Sequence, residues 1–443
     1  MVLLAVVAAL VVVASGIGAF VVLSEDQPSE VASDASPDEV ASDASPDEVP
    51  SEASPDATEG SPGRAILAWE SPDVAAFGGP GDQVIRAMAD RREDAGETRF
   101  VAMGVDGATG EQDAAAWVSP DGRAWTTIDD PDLVGPGNQG INGAAFAFGV
   151  IVAGGSDDAA GTNDAAVWLS ADGVDWKRVA DDSLGGAGDQ RIIRVKNTAA
   201  GLLATGVDTA GGDADAAVWI STDEGRSWDR VPDPAGALGG VGDQRIERVV
   251  DADPIVAVGA EETPEGSDAA VWVSADGLSW QRVPDDAGVL GGPGDQQMND
   301  ASRAGDSILA VGSDASGEDR EGAVWVSTDG LEWSRLGEAE SVFGGAGDQT
   351  LTRIAVPEEP APGEPGHVIV GVEAATDESD AAVWLSDDGE TWTREAGVAA
   401  FGGPGEQVML ALRPAGFPVI AMGADASGDN RDGAVWIAGS PTS

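Results

Sequence analysis

The chain has 443 residues, with 79 acidic side chains against 23 basic ones and a formal net charge of −56. Such a surface repels nucleic acid and anionic headgroups, so no nucleic-acid partner is expected; it attracts cations or basic proteins, and it is also what a salt-adapted, halophilic protein uses to keep its surface hydrated. Cysteine and tyrosine are absent and His367 is the single histidine, which excludes disulfides, thiolate metal sites, paired-histidine chemistry and a phenolic nucleophile.

The first 23 residues, MVLLAVVAALVVVASGIGAFVVL, carry no charged side chain. As a helix they reach across the ~30 Å hydrocarbon core of a bilayer, so residues 1–23 are expected to be a membrane anchor. A signal segment cut near Ala14 is the alternative, and the first basic residue, Arg64, lies too far along to set orientation. Either way the remainder of the chain is expected outside the cytoplasm, as the exposed part of a single-pass membrane protein or as a secreted one. Residues 24–63 contain three tandem nine-residue units, EVASDASPD, EVASDASPD and EVPSEASPD. Ser, Pro and acidic residues cannot bury enough apolar area to order themselves, so this stretch is expected to be a disordered acidic linker.

From residue 64 to 443 the chain repeats itself. Tryptophans recur about every 50 residues at Trp125, Trp176, Trp228, Trp280, Trp333 and Trp392, and a Gly-rich turn precedes each unit, from FGGPGDQ at 77–83 to FGGPGEQ at 401–407. Seven such turns give seven units, and this period suggests propeller blades. In the fourth unit QRIERVV, PIVAVGA, AAVWVSA and LSWQRV are β-branched or aromatic runs bounded by Gly, Asp, Ser and Pro, as in an antiparallel meander. The seventh unit stops after three runs, at GAVWIAGSPTS, while RAILAWES at 64–71 supplies an unused fourth, with Trp69 eight residues before Phe77 as Trp125 is before Leu133. The expectation is an all-β, seven-bladed β-propeller of four-stranded antiparallel blades, closed by one N-terminal and three C-terminal strands so that no sheet edge is left open.

The turns SPDGRAW, SADGVDW, STDEGRSW, SADGLSW, STDGLEW and SDDGETW resemble Asp-boxes, the Ser-x-Asp-x-Gly-x-x-Trp hairpins of bacterial neuraminidase repeats found in sialidases, sortilin-type receptors and photosystem II assembly factors. Only STDEGRSW has the full length of the motif; the other five are one residue shorter. The resemblance spans the whole repeat region and implies turns on the rim, away from an active face. The turn chemistry agrees, because Asp accepts backbone N–H groups two residues on and Gly takes the positive φ. Asp121, Asp172, Asp223, Asp276, Asp329 and Asp388 are therefore expected to be structural.

On the opposite face two carboxylate rings are expected. The first is Asp82, Asn138, Asp189, Asp243, Asp295, Asp348 and Glu406; the second, four residues before each third-strand Trp, is Asp113, Asp164, Asp215, Asp268, Glu321, Asp380 and Asp432. They could bind calcium or a polycation, or accept backbone N–H groups between blades. The asymmetric residues Arg191, Arg194, Arg245, Arg248 and Arg353 could form an anion pocket at the channel mouth or neutralise the acidic ring. Arg320 and Arg431 occupy matching loops, DASGEDREG and DASGDNRDG, and His367 lies in the long insertion of unit six. No cofactor beyond calcium is suggested, and no catalytic residue is assigned. Sialidases use a tyrosine nucleophile, which this chain lacks, although a glycosidase working through paired carboxylates stays open. The functional expectation is a monomeric, membrane-tethered, non-catalytic propeller that binds glycan or protein, or serves as a scaffold; a sialidase-like hydrolase is the alternative.

Overall fold

The computed structural model describes residues 67–439 apart from 73, 93–97, 160, 286–287, 338–341, 358–359, 361–363, 375–377 and 414–417. The expected anchor and linker lie outside the described residues, and among those described no helix is long and apolar enough to cross a membrane.

Seven four-stranded antiparallel sheets form the fold. Blade four shows the plan: Gln244–Val250 is the inner strand, followed outward by Ile255–Thr263, Gly266–Ser274 and Trp280–Arg282. Blade seven takes Gln407–Leu412, Val419–Asp425 and Asp432–Ala438 from the C-terminal end and Trp69–Glu70 from the N-terminal end, with Trp69 opposite Ala438 and Glu70 opposite Ile437. The ring closes as the spacing of Trp69 predicts. Among the described residues helical structure amounts to little more than two 3₁₀ turns, Ala75–Phe77 and Asp182–Leu184.

Both faces of each sheet are covered by neighbouring blades, so the middle strands are buried almost without alternation: Ala269 to Ser274 are all buried. Cores run between blades. One packs Leu203, Val218 and Ile220 of blade three against Ile246, Ala257 and Trp272 of blade four.

The fourteen tryptophans divide into two sets of seven. Trp117, Trp168, Trp219, Trp272, Trp325, Trp384 and Trp436, on the third strands, are no more than 1 % exposed. Each indole N–H donates to a carbonyl upstream in the turn leading into its blade, as Trp272 does to Ala237 at 2.7 Å and Trp436 to Ala400 at 2.7 Å. In five blades an arginine two residues after the fourth-strand Trp lies over this ring; the Arg335 guanidinium is 4.7 Å from the Trp325 centroid and that of Arg282 is 5.1 Å from Trp272. The same arginines pair with an acid at or near the end of the second strand, such as Asp208 at 3.3 Å from Arg230 and Glu261 beside Arg282. Blade one has Thr127 at the arginine position.

The inner strands carry one further repeated feature. Each has a register shift after its second residue beyond the Gln, as between Ile192 and Arg194 or Ile246 and Arg248. Opposite each bulge the second strand holds glycine: a Cβ on Gly104, Gly155, Gly206, Gly259, Gly312, Gly371 or Gly423 would lie 1.7 to 2.2 Å from an inner-strand carbonyl oxygen. A bulge adds an unpaired residue and re-aims the side chains around it. Here it lets the inner strands present two successive positions toward the channel.

Candidate functional site: the channel mouth

The repeated Ser-x-Asp hairpins are self-contained. In Ser274 to Trp280 the Gly277 N–H donates to Ser274 Oγ at 2.9 Å, and the N–H groups of Leu278 and Ser279 donate to Asp276 Oδ1 at 2.9 and 2.8 Å. Gly277 has φ +71°, and the Trp280 indole donates back to its carbonyl at 3.1 Å. The longer turn, STDEGRSW, places its extra residue Glu224 at φ +68° and keeps the bonds to Asp223 through Ser227. Backbone donors hold these carboxyls below the usual carboxylate range, foremost Thr391 for Asp388, which falls to about 2. A folded-state value below the unfolded one means stability that is present above pH ~4 and lost as pH falls toward 2. Asp388→Asn is therefore expected to cost about 1 kcal/mol near neutrality, on the scale of losing a helix cap. That deficit relative to the wild type should close between pH ~4 and 2 in paired denaturant titrations.

On the opposite face the first ring ties blade to blade. Gln244 N–H donates to the Ala214 carbonyl at 2.7 Å, and Ala214 N–H returns a bond to Asp243 Oδ1 at 2.9 Å. The same reciprocal pair joins Asp82 to Arg431, Asn138 to Gln112, Asp189 to Asn163 and Asp348 to Arg320. Asp295 accepts from Ser267 N–H at 3.1 Å. Glu406, one methylene longer, instead pairs with Arg431 at 3.0 Å, and Arg320 reaches Asp295 at 3.6 Å. The two loops matched in sequence thus place their arginines in equivalent contacts.

The second ring props the interblade turns. Asp268 Oδ1 accepts from Gly292 N–H at 3.4 Å, and its carboxylate fills the space a Cβ on Gly291 would need. Burial, with neighbouring carboxylates, raises Asp215 and Asp268 above the usual range. Among the described residues no group of three or more acidic or histidine side chains is arranged to hold a metal ion. A calcium ion needs six to eight oxygens converging on one point, whereas these rings offer their carboxylates one blade at a time.

The blades differ from one another inside the channel. Counting from the mouth Gln, the next residue is Val84, Gly140, Arg191, Arg245, Gln297, Thr350 and Val408 in blades one to seven. At the bulge stand Arg86, Asn142, Ile193, Glu247, Asn299, Thr352 and Leu410, and beyond it Ala87, Gly143, Arg194, Arg248, Asp300, Arg353 and Ala411. Four bulge side chains bridge to the next blade: Arg86 donates to Asn142 Oδ1 at 2.9 Å, Asn142 to the Ile192 carbonyl at 2.9 Å, Asn299 to Leu351 at 2.9 Å and Thr352 to Met409 at 2.7 Å. Arg248 faces Asp300 at 3.1 Å, Arg245 pairs with Glu247 at 3.0 Å, and Arg194 donates to the Asn142 carbonyl at 2.8 Å. Arg353 donates to the Thr352 carbonyl.

The ion pairs of the predicted arginines thus run to Glu247 and Asp300 within the channel, and the ring acids Asp295 and Glu406 are served by Arg320 and Arg431. Desolvation lowers Arg194 to about 9, with Arg353 adding repulsion, and it also lowers Arg191 and Arg353. Arg86 falls to about 10, from burial and then from Arg191 and Arg431. Sequence reasoning missed Arg86 because it stands at the bulge, one position before Arg194 and Arg248; it also missed Glu247, Asp300 and Asn142.

His367 begins the second strand of blade six, buried against Trp392 with ring centroids 6.0 Å apart, and burial lowers it. It borders a groove of about 620 Å³ on the face of the Ser-x-Asp hairpins, with Leu309, Val356 and Asp388.

No family model matches the chain, and no curated protein matches it. Solved structures do resemble it. A protein of unknown function from Dyadobacter fermentans shares 13 % identity over 84 % of this chain and 99 % of its own, with a TM-score of 0.41. The alpha-L-arabinanase of Penicillium chrysogenum, complexed with arabinobiose, shares 12 % over 84 % of this chain and 97 % of its own, with a TM-score of 0.41. Sqt1 of Chaetomium thermophilum, bound to the N-terminus of the ribosomal protein L10, shares 12 % over 80 % and 86 %, with a TM-score of 0.45.

Proposed function

We propose that the chain is a non-catalytic binding module, tethered to the membrane through residues 1–23 and exposed outside the cytoplasm, which takes a glycan or protein ligand at the channel mouth. One observation carries this. First-ring side chains in six of the seven blades accept backbone N–H groups of a neighbouring blade, whereas blade-to-blade variation, which a ligand site requires, is concentrated at the channel-facing positions. The channel acids Glu247 and Asp300 are paired with Arg245 and Arg248, so these carboxylates are engaged within the fold. The test is to incubate the full chain in molar salt with a panel of polysaccharides, monitoring both retention and release of reducing sugar. Retention without release is expected. Release would make the protein a hydrolase, and retention of no polysaccharide would leave a protein ligand, sought by cross-linking at the mouth face.

A further inference from the structure

Blade six breaks a rule that the other blades keep. The second-strand residue opposite the Ser that opens each hairpin is Phe100, Ile151, Leu202, Ile255 and Ile308 in blades one to five. Val419, opposite Ala438, holds the same place in blade seven, and all six side chains are buried. In blade six the position opposite Ser386 belongs to His367, buried as well and the chain's single histidine. Its ring meets the Ser386 backbone, and Nδ1 is buried without a hydrogen-bond partner. A buried imidazole short of a partner costs stability where an aliphatic side chain would add it, so the fold alone gives no reason for histidine here. The same residue borders the groove of about 620 Å³ between blades five and six. Leu309, Val326, Leu336 and Val356 give that groove an apolar lining, and the blade-six hairpin contributes Asp387, Asp388 and Glu390. Asp388 is engaged by neutral N–H donors, which leave its charge in place. Arg335, the one arginine or lysine among the described lining residues, is already paired with Asp314. Cavities of this size, mostly apolar with a few convergent polar groups, suit small ligands.

We propose that this groove is a binding site for a protonated aliphatic amine, with its hydrocarbon chain on Leu309, Val326, Leu336 and Val356 and its ammonium beside Asp387, Glu390 and His367. The site lies on the face opposite the channel mouth and stands apart from the ligand proposed there. Charge selects the sign, since three carboxylates in a chain of net charge −56 favour a cation and repel an acid. The apolar lining selects the class. In molar salt the Debye length shrinks to ~3 Å, so a bare cation is screened and one carrying hydrocarbon into the groove is held. Burial lowers His367, against the opposing pull of Asp388, the Ser386 backbone and Asp387. A neutral imidazole accepts an ammonium N–H where an imidazolium would repel it.

The experiment is calorimetric titration of the full chain, in molar salt at mildly alkaline pH, with hexylamine hydrochloride, hexanol, sodium hexanoate and methylamine hydrochloride. Binding of one equivalent of hexylamine is expected, with hexanol and methylamine at least tenfold weaker and hexanoate silent. His367→Ile installs the residue found at this position in blades two, four and five. It should weaken hexylamine binding at least tenfold while preserving or raising the melting temperature; a merely structural histidine would lower it. Glu390→Gln should weaken hexylamine severalfold and leave hexanol alone, because the backbone N–H that Glu390 donates to Asp388 is retained. Asp175→Asn, on the blade-two hairpin of the same face, should change neither binding nor melting. No binding of hexylamine, hexanol or methylamine bound as tightly, binding unchanged in His367→Ile, or a lower melting temperature in that variant would each overturn the proposal.

Discussion

Replacing Trp272 by alanine should lower the unfolding free energy by about 4 kcal/mol, within the range for emptying a buried aromatic site. The indole is fully buried between blades three and four, among Leu203, Val218 and Ile246. It also supplies the donor for the Ala237 carbonyl and the platform for Arg282, which is in turn fixed by Glu261. Truncation therefore opens a cavity, leaves an acceptor without its donor and frees a guanidinium. Trp272→Phe keeps most of the packing and loses the indole N–H, so about 1–2 kcal/mol is expected. Denaturant titration of the full chain at molar salt measures both through the midpoint, with the slope unchanged. Trp117→Ala sharpens the attribution. Blade one has Thr127 where blade four has Arg282, so its loss should be smaller by about 1 kcal/mol, the scale of a cation–π contact. Equal losses at the two sites would assign the whole effect to packing and none to the arginine.

What could be read in advance was whatever the chain repeats from unit to unit. The Gly-rich turns, the Asp-Gly hairpins and the displaced strand around Trp69 fix blade number, strand order and closure, since each repeat removes the ambiguity of the others. The ring residues were legible as positions, though their partners were not, because the reciprocal bonds from Asp243 to Ala214 or from Asp82 to Arg431 cross between units and no single unit contains them. The arginine over the third-strand Trp of five blades had a visible signal in WKR, WDR, WQR, WSR and WTR, but its meaning depends on a second strand lying alongside. The channel was least legible. Strict alternation would send Arg245 and Glu247 to one side and Arg248 to the other, and only the bulge between Ile246 and Arg248 brings all three to the channel. No residue type announces that bulge on its own strand; its trace is the glycine opposite, in a neighbouring run otherwise made of Val, Ile and Ala.

That glycine carries the second large effect. Gly259→Ala is expected to destabilise the fold by about 3 kcal/mol, the upper end of the usual overpacking range, because the obstacle is backbone. An ideal Cβ at this position lies 2.0 Å from the Arg245 carbonyl oxygen and 3.2 Å from the Glu247 amide nitrogen, and no flexible side-chain end is available to yield. Two responses are open to the chain. The inner strand Gln244–Val250 can move away from Ile255–Thr263, lengthening ladder hydrogen bonds at the ring's centre where it packs on blades three and five. Alternatively the bulge can be ironed out, which shifts the register by one residue and turns Arg248 from Asp300 toward the interblade core. Either response disturbs Arg245 as well, so ligand binding at the mouth should fall together with stability. Gly337→Ala is the control: it meets nothing within 4 Å and is exposed, so it should stay within about 0.5 kcal/mol of the wild type. If Gly259→Ala melts with the wild type and binds as well, the bulge is not imposed by the close approach of these two strands, and the seven repeated glycines need a different cause.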